Sequence, residues 1–135
     1  MAGRLAGRIA IVTGAGSSGP GWGNGKAASV LFARAGAKVL CSDINEAAAR
    51  ETAAIVRQEG GAAEVFACDV SKSDQVQAMV AHCVKAFGGR IDILHNNVGI
   101  AVAGGPVDLP EAEWDRVAAV NIKSMFLTCK YVLPV

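Results

Sequence analysis

The feature that most constrains this chain is a regular alternation of short apolar runs with longer segments of helical periodicity. Four apolar runs are each followed by a segment whose apolar residues recur every three or four positions; the runs lie at residues 8–13, 38–43, 63–69 and 91–96. This alternation predicts βαβ units and a parallel sheet. The runs are almost continuously apolar, as expected for strands that helices cover on both faces. We therefore predict one α/β domain over residues 1–135, with a doubly wound parallel sheet of about four strands.

Residues that begin and end helices support these assignments. Helices are predicted over residues 25–35, 45–59, from 71 or 73 to 87, and over 111–133. Asn45 and either Ser71 or Ser73 are suitable N-caps. Gly36 and Gly88 are suitable helix ends because glycine readily adopts the left-handed conformation.

Composition narrows the classes of function. The formal net charge is +1 with acids and bases interspersed, so neither a nucleic acid nor an anionic membrane is favoured as a partner. The four cysteines have no CxxC spacing, which argues against a zinc site and a disulfide framework. No apolar run approaches the roughly 20 residues that span a bilayer, and the N-terminus has no signal pattern. We expect a cytoplasmic protein without a bound metal.

A glycine-rich segment, residues 14–25, lies between the first predicted strand and the first predicted helix. It reads GAGSSGPGWGNG, with six glycines. Glycine adopts backbone angles closed to other residues and lets a pyrophosphate approach the chain without meeting a Cβ atom. The N–H groups at the start of the following helix then face the phosphates. We predict that a dinucleotide binds here, in contact with Gly14, Ser17, Gly23, Asn24 and Gly25. A P-loop is excluded because the lysine after this segment is not followed by serine or threonine.

Asp43 ends the second predicted strand, 18 residues past Gly25. That distance is close to the ~20 residues expected for the acid that accepts hydrogen bonds from the adenosine ribose. An acid at this position repels the additional phosphate of NADP, and Ile44 follows it where an arginine or lysine would attract that phosphate. We therefore predict NAD as the cofactor. The alternative is that Asp43 only begins the turn before Asn45.

Four motifs, in order and almost from end to end of the chain, resemble those of the short-chain dehydrogenase/reductase family. Thr13–Gly14 and Gly23–Asn24–Gly25 are similar to the two ends of the family's TGxxxGxG loop. Asp69–Val70 resembles its Asp-Val pair, and Asn96–Asn97–Val98–Gly99 resembles its NNAG motif. The segment EAEWDRVAAVNIKSMFL is similar to the helix that carries the family's structural and catalytic asparagine, here Asn121.

The resemblance implies a Rossmann-type fold and reversible hydride transfer between NAD(P) and an alcohol or carbonyl substrate. It implies that Asp69 and Val70 hold the adenine ring and that Asn96 and Gly99 contact the cofactor. It also implies that Asn121 holds a water in a proton relay to a catalytic lysine. The family usually forms homo-oligomers through its fourth and fifth helices, which implies the same for the whole protein here.

The spacing around Asn121 bears on its role independently of the resemblance. Six residues share one predicted helix face: Trp114, Val117, Ala118, Asn121, Met125 and Thr128. An asparagine within this largely apolar stripe is predicted to be buried, and a buried amide must find hydrogen-bond partners. A structural cross-link to the backbone and a part in the proton relay are both compatible with that requirement.

The chain departs from the family pattern first in its glycine-rich segment, which is about five residues longer than the family's usual loop. We place the additional residues at about 17–22. A long loop ending in Gly-Trp-Gly resembles the enoyl-reductase branch of the superfamily, which ranks second because it generally lacks the NNAG motif. Trp22 either shields the cofactor or only stiffens the loop.

The second departure concerns the catalytic groups. Tyr131 is the only tyrosine, and Val135 stands four residues later where the YxxxK motif has lysine. The family's catalytic serine and YxxxK are therefore expected beyond Val135, and these residues alone are expected to be inactive. In the strand order 3-2-1-4 the fourth strand then lies at an edge, and we expect a native mass near twice the 13.8 kDa of this chain. The competing hypothesis is a chain that binds a dinucleotide and catalyses nothing.

Overall fold

The computed structural model describes residues 3–135, and these residues form one parallel sheet covered by helices. The strands are β1 (Ile9–Thr13), β2 (Lys38–Asp43), β3 (Ala63–Ala67) and β4 (Ile93–His95). Their order is β3-β2-β1-β4, and every neighbouring pair is parallel. The predicted fold class and strand order are confirmed. Within the described residues, β3 and β4 are the outer strands.

Five α-helices and one π-helical segment are described in residues 3–135. They are α1 (Asn24–Arg34), α2 (Glu46–Gln58), α3 (Ser73–Phe87), α4 (Glu111–Ala118), the π segment (Ala119–Lys123) and α5 (Ser124–Val132). The first three lie close to their predicted bounds. The last predicted helix is divided, because the π segment interrupts it. None of these helices has the length and apolarity needed to cross a bilayer.

Helices cover both faces of the sheet, which explains why the strands are apolar throughout. Ile11 and Leu40 lie on one face in a core that α3 and α5 complete through Met79, Leu127 and other apolar side chains. Alternate strand residues such as Val12 face the opposite side, in a core that α1 and α2 complete. All five residues of β1 are buried as a result.

Helix ends follow the predicted residues in part. The Asn45 side chain accepts a hydrogen bond from the Ala48 N–H at 3.3 Å, and Gly36 and Gly88 both have a φ of +101°. The predicted serine caps of α3 are wrong, since Lys72 occupies the N-cap position without a side-chain cap bond. The two hydroxyls have other partners: that of Ser71 bonds to Asp69 at 2.6 Å, and that of Ser73 bonds to Tyr131 at 2.7 Å.

The predicted apolar face of the last helix is only partly correct. Trp114 is 66% exposed and Met125 is 45% exposed. Helix α4 contains no buried residue, and the π segment changes the rotation per residue, so one helical wheel cannot describe both sides of it. The packed face of α5 is formed instead by Ser124, Leu127, Thr128 and Val132.

Candidate functional site

One cleft of about 600 Å³ lies at the carboxyl ends of the strands, where each strand passes into the loop that follows it. In doubly wound sheets ligands bind at this edge, where the strand order reverses, here next to β1. Nine of the predicted site residues line the cleft: Gly14, Ser17, Gly23, Asn24, Gly25, Asp43, Asp69, Val70 and Gly99. The two that do not are Asn96 and Asn121.

The turn after β1 requires glycine where it meets the start of α1. Gly14 has a φ of +65°, and a Cβ atom on it would lie 3.0 Å from the Asn97 side chain. A Cβ atom on Gly25 would lie only 1.8 Å from the Gly14 carbonyl oxygen. The start of α1 is therefore packed directly against the turn, and the bare backbone faces the cleft.

The start of α1 suits an anion. Its N-cap is Gly23, which has no side chain to offer, and its first turn contains no acidic residue. The first intrahelical bond joins the Ala27 N–H to the Gly23 carbonyl oxygen at 3.0 Å. The N–H groups that precede Ala27 in the helix thus lack intrahelical acceptors, and the helix dipole places partial positive charge beside them. A phosphate group fits this arrangement.

Asp43 joins the glycine-rich segment to the end of β2. One carboxylate oxygen accepts a hydrogen bond from the Gly16 N–H at 2.9 Å, and the other accepts one from the Asn45 N–H at 2.9 Å. The residue therefore begins a turn and also lines the cleft, so the two interpretations of Asp43 are not exclusive. A carboxylate offers about four acceptor positions, which leaves capacity for ribose hydroxyls.

The residues that follow β3 form a further part of the wall. The Asp69 carboxylate accepts hydrogen bonds from the Ser71 N–H at 3.0 Å and the Ser71 hydroxyl at 2.6 Å. Val70 lines the cleft although it is almost completely buried. Burial, aided by the neighbouring Asp69 carboxylate, raises the pKa of the Cys68 thiol to about 11, so this thiol is uncharged at neutral pH.

Asn97, which the sequence reasoning did not single out, holds β4 to the turn after β1. Its backbone N–H donates to the Thr13 hydroxyl at 3.2 Å, and its side-chain amide donates to the Gly14 carbonyl at 3.1 Å. Asn96 points elsewhere: its amide oxygen accepts from the Thr128 hydroxyl at 2.7 Å, and it does not line the cleft. The only sequence signal for Asn97 is the doubled asparagine, which does not say which of the two faces the turn.

Asn121 lies in the π segment and cross-links it to the loop after β4. Its amide oxygen accepts a hydrogen bond from the Ile100 N–H at 2.8 Å, and its amide nitrogen donates to the Ile100 carbonyl at 2.8 Å. The side chain is half-buried rather than buried. The structural cross-link is therefore observed, and Ile100 itself lines the cleft. An amide can form four hydrogen bonds, so the cross-link leaves capacity for a water.

Two aromatic side chains lie outside the cleft lining. The Trp22 ring lies 5.5 Å from the Lys26 ammonium and is not among the residues that line the cleft. The Tyr131 hydroxyl bonds to Ser73 at 2.7 Å and accepts from the Gln77 amide at 3.2 Å. Tyr131 thus joins α5 to α3, and its hydroxyl is engaged away from the cleft.

The charged side chains that line the cleft within residues 3–135 are Asp43, Asp69 and Arg116. Arg116 donates to the Glu113 carboxylate at 2.8 Å, and this hydrogen bond raises the pKa of Arg116 and lowers that of Glu113. No three metal-ligating side chains cluster in this part of the chain.

Comparison with known proteins agrees with this geometry. The family model for short chain dehydrogenases matches residues 8–135. The oxidoreductase YxbG of Bacillus subtilis is 41% identical over 133 residues, which are 98% of this chain and 46% of YxbG. The chain thus spans about half the length of such relatives.

Two crystal structures share the fold. A short-chain dehydrogenase/reductase of Burkholderia xenovorans superposes with a TM-score of 0.94 at 50% identity, covering 99% of this chain and 53% of that one. A 7α-hydroxysteroid dehydrogenase complexed with NADH and 7-oxo glycochenodeoxycholic acid superposes with a TM-score of 0.88 at 37% identity. The match covers 97% of this chain and 49% of that one. From residue 8 to residue 135, this chain belongs to the short-chain dehydrogenase family of oxidoreductases.

Proposed function

We propose that this chain binds NAD and supplies the cofactor site of an enzyme that transfers a hydride between nicotinamide and an alcohol or carbonyl. The observation that carries the proposal is the hydrogen bond between Gly16 and Asp43 at 2.9 Å. It joins the glycine-rich segment to the proposed ribose-binding acid, and both line one cleft. The NADH-bound hydroxysteroid dehydrogenase has the same fold, which supports this choice of ligand class.

Different groups of lining residues would bind different parts of the dinucleotide. The Asp43 carboxylate would accept hydrogen bonds from the adenosine ribose. The bare N–H groups at the start of α1, beside Gly23 and Ser17, would bind the phosphates. Asp69 and Val70 would hold the adenine, and Gly99 would adjoin the nicotinamide side. The bound dinucleotide supplies the hydride acceptor or donor; the chain's own residues bind and orient it.

The preference for NAD over NADP rests on charge. Asp43 would lie against any phosphate on the ribose 2′-oxygen, and Ile44, which follows it, is 73% exposed and offers no positive charge. Arg116, the cation of the cleft lining within the described residues, lies on a helix beyond β4, whereas Asp43 is the last residue of β2, on the other side of β1. It is therefore not placed to neutralise a 2′-phosphate.

The proposed proton chemistry is divided between this chain and residues outside it. We assign Asn121 to the proton relay, where its free hydrogen-bonding capacity would hold a water. We assign the catalytic serine and the YxxxK motif to positions outside these 135 residues, since the hydroxyl of Tyr131 is bonded to α3. The 135 residues alone would then be inactive. Homo-oligomer formation through the exposed apolar side chains of the last helical region, such as Ile122 and Phe126, belongs to the same proposal.

Turnover tests this function. The protein, as its native source makes it, would be incubated with NAD or NADP and a panel of primary and secondary alcohols, sugars and hydroxysteroids while nicotinamide absorbance is followed. We expect reduction of NAD with at least one class of alcohol. A protein that binds NAD but oxidises no alcohol and reduces no carbonyl would favour the non-catalytic binder. Reduction of enoyl thioesters alone would favour the enoyl-reductase alternative.

A further inference from the structure

The additional residues of the glycine-rich segment have a contact of their own. The Trp22 ring covers the Lys26 ammonium, whose nitrogen lies 5.5 Å from the ring centroid. The Lys26 side chain is only 11% exposed, and its one carboxylate partner among residues 3–135, Glu51, is 4.0 Å away and 75% exposed. The indole face therefore stabilises the Lys26 ammonium, whose carboxylate partner is distant and exposed.

Helix α2 supports the same segment at two further points. The Thr52 hydroxyl donates to the Ala15 carbonyl at 2.8 Å. A Cβ atom on Gly16 would lie 2.4 Å from the Ala48 side chain, so backbone and helix are in direct contact. Residues 48, 51 and 52 share one face of the helix. The glycine-rich segment therefore rests on α2 at its start through Ala15 and Gly16, and near its end Trp22 contacts Lys26 of α1.

Between these two supports the segment has little to hold it. Gly19 and Gly21 have no neighbouring atoms within 4 Å of an added Cβ, and Gly21 has a φ of +90°. The loop closes on itself through the Gly23 N–H, which donates to the Ser17 hydroxyl at 2.9 Å. Both of these residues line the cleft, whereas Trp22, which directly precedes Gly23, faces Lys26 instead.

We propose that Trp22 is a positioning residue. Its contact with Lys26 fixes the additional residues of the glycine-rich segment on α1, and thereby holds the turn from Ser17 to Gly23 in the conformation that binds a pyrophosphate. The proposal rests on the proposed function, since it assigns the pyrophosphate to this turn. Because the ordering is completed in the free protein, binding of the ligand does not have to supply it.

The test compares two ligands that share the adenosine and differ in the pyrophosphate and the terminal ribose attached to it. ADP-ribose and adenosine would be titrated by calorimetry into the natively produced protein and into Trp22→Ala, Trp22→Phe and Lys26→Met. A cation–π contact of this kind corresponds to about a twofold to thirtyfold change in affinity. We expect Trp22→Ala and Lys26→Met each to lower the affinity for ADP-ribose within that range and to leave the affinity for adenosine unchanged. Trp22→Phe, which keeps an aromatic face, should retain most of the affinity.

Coupling and a matched control complete the design. The double variant Trp22→Ala/Lys26→Met should bind ADP-ribose no more weakly than the weaker single variant, because both remove one contact. Trp114→Ala removes the other tryptophan, which is 66% exposed and lies on α4, and should bind as the parent does. Unchanged ADP-ribose affinity in Trp22→Ala, or equal losses for both ligands, would overturn the proposal. Failure of the parent itself to bind ADP-ribose would instead overturn the proposed function, and this proposal with it.

Discussion

At the scale of single residues, the carboxylate of Asp43 has two tasks that substitutions can separate. It accepts hydrogen bonds from the Gly16 and Asn45 N–H groups and is assigned the ribose hydroxyls. Hydrogen bonds to a charged group contribute about 1.5–3 kcal/mol. We expect Asp43→Ala to weaken NAD binding by about tenfold to a hundredfold and to leave NADP binding much less affected, measured by calorimetry.

Asp43→Asn is the matched control for that prediction. Its amide oxygen can still accept from the Gly16 N–H, but the side chain is neutral and no longer repels a 2′-phosphate. We expect the ratio of NADP to NAD affinity to rise in this variant. The melting temperature should fall only slightly, because the one bond that the amide nitrogen cannot accept, from the Asn45 N–H, is exposed. If Asp43→Ala lowered the affinities for NAD and NADP equally, Asp43 would have no role in the choice between the two cofactors.

Cys68 gives a second prediction at the residue scale. With a pKa of about 11, only about one thiol in a thousand is ionised at pH 8. Alkylation by iodoacetamide, followed at Cys68 by mass spectrometry of peptides, should therefore be slow at pH 7 and 8 and accelerate up to about pH 11. A free thiol with an ordinary pKa of about 8.5 would level off near that pH. Levelling near pH 8.5 at Cys68 would contradict the described burial.

At the scale of elements, the π segment and the loop after β4 are joined by Asn121. Removing its amide leaves the N–H and carbonyl of Ile100 without their partners at 2.8 Å. An unsatisfied group costs about 1–3 kcal/mol when it is buried, and Asn121 is half-buried. We expect Asn121→Ala to lower the free energy of unfolding by about 1–2 kcal/mol in urea. A change below about 0.5 kcal/mol would mean that water replaces the cross-link.

Asp92 joins the starts of β1 and β4 at the end of the sheet remote from the cleft. The Ile9 N–H, followed by the guanidinium groups of Arg8 and Arg90, holds the pKa of Asp92 below its ordinary value. A carboxyl whose pKa is lower in the folded state stabilises the fold above its unfolded pKa, about 3.9. That stabilisation is lost as the pH falls through the folded pKa.

We therefore expect Asp92→Asn to lower the melting temperature at pH 7, and the difference from the parent to disappear near pH 2. Asparagine resembles the protonated acid in shape, so the comparison isolates the charge. Asp108→Asn, at an exposed position in the loop before α4, is the control and should melt as the parent does at both pH values. A pH-independent difference for Asp92→Asn would contradict the assigned charge effect.

The elements also show what sequence patterns could and could not predict. Strands covered on both faces are apolar throughout, and Gly36 and Gly88 mark helix ends by a conformation that few other residues adopt, so these features were predictable. The division of the last helix was not. A π segment differs from an α-helix only in which carbonyl each N–H reaches, and the residues at 119–123 are ordinary helix residues. The same limit explains the wrong placement of Trp114 and Met125.

At the scale of the whole molecule, the cleft was predictable because each motif directly follows a strand of one parallel sheet. Parallel strands bring their carboxyl ends to one edge, so motifs after β1, β2, β3 and β4 must meet there. Which side chain of a motif faces the cleft depends on local packing instead. The Asn96 amide oxygen accepts a hydrogen bond from the Thr128 hydroxyl of α5 at 2.7 Å. The Asn97 amide nitrogen donates instead to the Gly14 carbonyl oxygen at 3.1 Å. No spacing in the sequence encodes that choice.

We propose that this cleft holds NAD with its adenosine ribose on Asp43 and its phosphates at the start of α1. The most direct test is a crystal structure of the natively produced protein grown with saturating NAD. We predict the dinucleotide in the cleft, with the adenosine ribose hydroxyls on the Asp43 carboxylate and the pyrophosphate against the N–H groups beside Gly23. NAD bound elsewhere, or a cleft without it at saturation, would contradict the account.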